Sequence, residues 1–112
     1  MKKIAAFTKS NLEIGNGHLV RLSQILSCLD NNYLDIDFYC DYKVAPSWFN
    51  EIRHIQISIE DFFKLNFKEY DLILYDSYLR REELKTINTD ILLIDDIPFH
   101  GNNKFAKYIL DY

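Results

Sequence analysis

The sequence predicts an α/β protein built on an open, mostly parallel sheet with helices on both faces. Near-continuous apolar runs such as "LILY" (Leu72–Tyr75) and "ILLI" (Ile91–Ile94) suit strands that are covered on both sides. Segments with helical spacing alternate with those runs, which is the strand–helix order of a doubly wound sheet. The length of 112 residues and the 48% apolar content suit one domain around one small core.

The elements follow in order. "KKIAAFT" (Lys2–Thr8) is a short apolar run and reads as the first strand. "GHLVRLSQILSCLD" (Gly17–Asp30) puts Leu19, Leu22, Ile25, Leu26 and Leu29 on one helical face, and Asp30 to Asn32 end it. "LDIDFYC" (Leu34–Cys40) alternates and is rich in strand formers. Pro46 in "APSWFNEIR" suits the first turn of a short helix. "HIQIS" (His54–Ser58) reads as a short strand and Ile59–Phe67 as a weak helical turn. Tyr70–Asp76 reads as a buried strand, Arg80–Ile87 as a short polar helix and Asp90–Asp96 as another buried strand. "FAKYILDY" closes the chain with an ambiguous pattern that admits a last strand. Phe62, Phe63 and Phe67 read as core.

Composition narrows the function. A net charge of −4 without a Lys/Arg block argues against nucleic acid as a partner. No apolar run approaches the roughly 20 residues that span a bilayer, so no membrane partner is expected. The apolar run after Lys2 and Lys3 is too short for a secretory signal, which points to a cytoplasmic protein. Cys28 and Cys40 lack zinc-ligand spacing and read as reduced thiols on buried faces.

Three polar clusters follow apolar strands: Gly15–His18 after the first, Asp76–Tyr78 after "LILY", and Asp95–Asp96 after "ILLI". In an open parallel sheet all strand C-termini share one edge, where ligands bind, so the three clusters are expected on one rim. Gly15 and Gly17 allow a sharp turn or a close approach of backbone N–H groups to an anion. The third position of a dinucleotide fingerprint is Val20 rather than glycine, which weakens that reading. His18 and Arg21 lie three apart on one helix and share part of a face. His18 is the candidate general base. Asp95 and Asp96 fit a helix cap, a strand end, a magnesium site or acceptors for sugar hydroxyls. Tyr78 fits a loop aromatic or a platform for a sugar face.

"IGNGHLVRLSQIL", "YDSYL" and "LLIDDIPFH" together resemble the I-G-x-G-H-x-x-R, D-x-Y and I-D-D motifs of the PseG/SpsG-type nucleotide-sugar hydrolases. The resemblance runs from Lys2 to about Leu110 and keeps the motifs in order. It implies the Rossmann-like N-terminal half of a two-domain glycosyltransferase-B-type fold. It implies release of UDP from a UDP-linked diacetamido-trideoxy sugar by water attack at the anomeric carbon, in pseudaminic-acid-type surface-sugar biosynthesis, without metal or other cofactor. His18 would be the base and Tyr78 would contact the sugar. Gly15, Gly17 and Arg21 would shape the substrate site, with Asp76, Asp95 and Asp96 supporting it or touching the sugar. Most of the family's nucleotide site belongs to a second domain. The chain is thus expected to be a sugar-side domain, residues 1–112, whose nucleotide half comes from a partner domain or chain. Alternatives are the acceptor-side domain of a related glycosyltransferase, or a non-catalytic binding or interaction domain such as a receiver-like unit.

Overall fold

The computed structural model describes residues 2–10, 17–29, 32–95 and 108–111, with side chains at 2–10, 18–29 and 32–94. Among them, six strands form one sheet: β1 (Lys2–Lys9), β2 (Leu34–Asp41), β3 (Ile55–Gln56), β4 (Leu72–Asp76), β5 (Asp90–Asp95) and β6 (Tyr108–Asp111). Their order across the sheet is β3-β2-β1-β4-β5-β6, and every neighbouring pair is parallel. Helices α1 (Gly17–Ser27), α2 (Ile59–Phe62) and α3 (Arg81–Leu84) join them, with 3₁₀ turns at Ser47–Glu51 and Phe67–Glu69. This is the α/β, Rossmann-like sheet that the strand pattern predicts, and the ambiguous tail contributes its last strand.

The chain starts in the middle of the sheet. It moves outward through β2 and β3, returns to lay β4 against the other side of β1, and continues to β5 and β6. Strand order therefore reverses between β1 and β4, and the crevice beyond their carboxyl ends is the topological switch point.

Side chains alternate across each strand, so β1 feeds both cores. Ile4 and Ala6 join Leu19, Leu22, Phe38, Cys40, Phe49, Leu74 and Ile94 on the face covered by α1 and the Ser47–Glu51 turn. Ala5 and Phe7 join Ile59, Phe62, Phe67, Tyr75 and Leu84 on the face covered by α2, the Phe67–Glu69 turn and α3. Phe62 is central to the second core. Its ring lies 4.4 Å from Phe7, 5.3 Å from Phe67, 5.8 Å from Tyr39 and 6.1 Å from Tyr75. The expected core role thus holds for Phe62 and Phe67, while Phe63 packs partly buried at the margin.

Several elements are shorter than their patterns suggest, each for a local reason. Helix α1 stops at Ser27 because the chain tightens there: Cys28 N–H donates to the Ile25 carbonyl and Leu29 N–H to that of Leu26. Cys28 is consequently exposed, contrary to expectation, whereas Cys40 is buried on β2. His54 stays out of β3. Its Nδ1 lies 2.6 Å from the Ile52 carbonyl, which can only accept, so Nδ1 carries the proton and Nε2 accepts from the Tyr42 hydroxyl at 2.7 Å. The helix expected to start at Arg80 starts at Arg81, because Arg80 has a φ of 54° and cannot belong to a right-handed helix. Helix α2 starts where Ser58 Oγ accepts from Asp61 N–H and Asp41 Oδ2 accepts from Ile59 N–H.

Two outcomes test this packing. Phe62→Ala should lower unfolding free energy by about 3–5 kcal/mol in urea titration, while Val44→Ala, at an exposed position, should change it by less than about 0.5 kcal/mol. Burial pushes the Cys40 thiol well above the ordinary range. Iodoacetamide should therefore modify the native chain at Cys28 alone, and reach Cys40 only after denaturant is added; mass spectrometry of the digest reads both sites.

Candidate active site

The site lies beyond the carboxyl ends of β1 and β4. Thr8 and Asp76 are register partners there, and the Thr8 hydroxyl donates to the Asp76 carbonyl at 3.3 Å. Asp76 is the last residue of β4 and is wholly buried. Helix α1 begins beside it. His18 is the second residue of α1, and Arg21 follows on the same face one turn later. That face continues into Leu22, which is buried in the core, so the helix delivers both polar side chains to the edge of the sheet.

Three side chains meet there. His18 Nδ1 lies 3.0 Å from Asp76 Oδ1. Arg21 donates from Nε to Asp76 Oδ2 at 3.2 Å and from Nη2 to Asp76 Oδ1. Arg21 Nη2 also lies 3.3 Å from His18 Nδ1. Arginine only donates, so that contact and the His18–Asp76 contact cannot both be hydrogen bonds in one tautomer. The carboxylate is the nearer neighbour and can only accept. Nδ1 therefore carries a proton, and in the neutral form of the ring the lone pair sits on Nε2. Arg21 is only 7% exposed. A buried carboxylate needs a charged partner, and Arg21 provides it through a two-pronged contact.

Tyr78 completes the group. Its ring stands edge-on to His18 at 5.8 Å, and the Arg81 guanidinium lies over it at 4.9 Å. The loop that carries Tyr78 is tied on both sides. The Tyr75 hydroxyl donates to the Leu79 carbonyl at 2.6 Å, Leu79 N–H donates to Ser77 Oγ, and Arg81 Nε donates to the Ser77 carbonyl at 2.9 Å. Burial pushes the Tyr75 hydroxyl well up, which keeps it a donor. Arg80, in its left-handed conformation, grips Glu83 through two nitrogens and stacks over Phe63 at 4.9 Å. That grip holds the Glu83 carboxyl below its usual range.

The structure brings together His18, Arg21, Asp76 and Tyr78 of the expected set. Gly17 opens α1, and the backbone of Asp95 ends β5 on the same edge of the sheet. Gly15 and Asp96 lie outside the described residues, as does the side chain of Asp95. Asp76 and Arg21 are both buried and face each other, paired within the fold. Arg81 and Thr8 were not singled out from the sequence. Arg81 was legible as the residue three after Tyr78, while Thr8 needed the β1–β4 register. Comparisons with protein-family models, curated proteins and solved structures find no match.

A carboxylate-backed imidazole at a switch-point crevice is equipped to take a proton from water or an alcohol. The buried ion pair also bears on folding, because removing one partner leaves the other charge buried. Asp76→Ala removes one partner of that pair and should cost about 3–5 kcal/mol of stability in urea unfolding; a loss below about 1 kcal/mol would contradict a buried pairing.

Proposed function

We propose that this chain is the sugar-side domain of a nucleotide-sugar hydrolase, with His18 as the general base. The observation that carries the reading is the 3.0 Å contact between His18 Nδ1 and the buried Asp76 carboxylate beyond the ends of β1 and β4. It leaves Nε2 as the basic nitrogen of the ring, which is what activation of a water requires. The motif resemblance supplies the substrate class, a UDP-linked diacetamido-trideoxy sugar of surface-glycan biosynthesis.

In this reaction a water lies between Nε2 and the anomeric carbon. Its oxygen forms the new bond to that carbon as its proton passes to Nε2. The bond from the anomeric carbon to the β-phosphate oxygen breaks, and UDP leaves with the electron pair. Tyr78, fixed edge-on to His18, offers its ring to the sugar. The pinned loop beneath it limits reorganisation during the reaction. The nucleotide is held by a partner domain or chain, as the family resemblance implies.

The test is UDP release from such a sugar, with the nucleotide-binding partner supplied. His18→Ala should retain its circular dichroism and lose about 10²–10⁴-fold in kcat. Undiminished turnover in a folded His18→Ala protein would overturn the base assignment. Transfer to an added alcohol in preference to water would instead mark the domain as the acceptor side of a glycosyltransferase.

A further inference from the structure

We propose that Arg21 is a positioning residue that locks the tautomer of His18 by acting through Asp76; the catalytic consequence rests on the base role proposed above, whereas the lock itself does not. Arg21 approaches the carboxylate side-on, Nε to Oδ2 and Nη2 to Oδ1. Two contacts fix the carboxylate plane, where a single contact would leave it free to rotate. In that plane Oδ1 lies 3.0 Å from His18 Nδ1. The imidazole must then present a hydrogen from Nδ1, because a lone pair there would face an anionic oxygen. A neutral ring has one such hydrogen, so Nε2 is left bare.

Charge supports the same conclusion. Asp76 is wholly buried, and Arg21 and His18 are its ion-pair partners among the described residues. Arg21 is always cationic and satisfies the carboxylate without help from the ring. His18 is thereby released from acting as a counter-ion, and a neutral ring suffices. Among the described residues, the groups that touch His18 are Asp76 from β4, Arg21 from its own helix and Tyr78 from the loop after β4, with Arg81 beyond Tyr78. Without Arg21, Asp76 would draw its counter-charge from the imidazole, which would then hold protons on both nitrogens and have no lone pair for water. Arg21 thus sets which form of His18 faces the crevice through its grip on Asp76.

Lysine cannot reproduce this arrangement. Its ammonium supplies the charge as a single point and does not hold both carboxylate oxygens in one plane. Arg21→Lys should keep the charge balance and lose the orientation, which separates the two parts of the device.

The deciding measurement is nitrogen-15 NMR of the His18 side chain at neutral pH, in the full chain and without substrate. Wild type should show the neutral ring with hydrogen on Nδ1. Arg21→Gln should show hydrogen on both Nδ1 and Nε2, and Arg21→Lys a mixture of forms. A His18 signal unchanged from wild type in folded Arg21→Gln would overturn the proposal. Should that variant fail to fold, Arg21→Met combined with Asp76→Leu removes both charges together and keeps the volume apolar. His18 should then show the mixed tautomers of a free imidazole, and retention of the wild-type pattern would overturn the lock. In the UDP-release assay, Arg21→Lys and Arg21→Gln should lower kcat by about 10²-fold or more with KM changed less than threefold. A general loss of structure would move both. NMR changes as described, with no UDP release even from wild type, would keep the lock and remove the hydrolase reading.

Discussion

The parallel pairing of β1 with β4 is the constraint on which everything else depends. It joins residues 2–9 to residues 72–76 across the middle of the sheet, with Ile4 opposite Leu72 and Thr8 opposite Asp76. Parallel neighbours cannot be joined by a tight turn, so the intervening chain has to travel. Here it builds β2 and β3 on one side before it returns over the other face. The reversal opens a gap between two strand ends, and His18 and Asp76 meet in it although 58 residues separate them.

A second constraint is electrostatic. A carboxylate with no access to solvent is costly unless its charge and lone pairs are answered. Around Asp76 the answer comes from one helix: Arg21 and His18 of α1 meet its carboxylate, while the Thr8 hydroxyl of β1 donates to its backbone carbonyl. The same contacts that make the burial tolerable orient the imidazole. Stability and preparation of the site therefore cannot be separated at this position.

The aromatic core extends that order outward. Phe7 stacks on Phe62 and on Tyr75, and Tyr75 then leaves the core through its hydroxyl to hold the Leu79 carbonyl. Leu79 neighbours Tyr78, whose ring edge meets His18. Rigid packing on one face of the sheet thereby reaches a loop at its rim. Arg80 adds a fixed kink there, in a conformation that a non-glycine residue adopts only when its surroundings hold it.

The sequence by itself determined the fold class, the location of the strands and the shared edge of His18, Asp76 and Tyr78. These depend on local patterns: apolar runs of strand length, a 3.6-residue repeat from Leu19 onward, and polar residues at strand ends. The near-agreement of the expected and observed bounds of β1, β2, β4 and β5 reflects how strongly burial on both faces marks a strand. Tertiary structure decided which strands are neighbours, that β3 keeps only two residues, that Cys28 turns outward, and that Arg21 pairs with Asp76. Each of these depends on contacts between residues distant in the chain or on a local tie such as His54 to Tyr42. Helical spacing put His18 and Arg21 on one face, but only the β1–β4 register set a buried carboxylate against them.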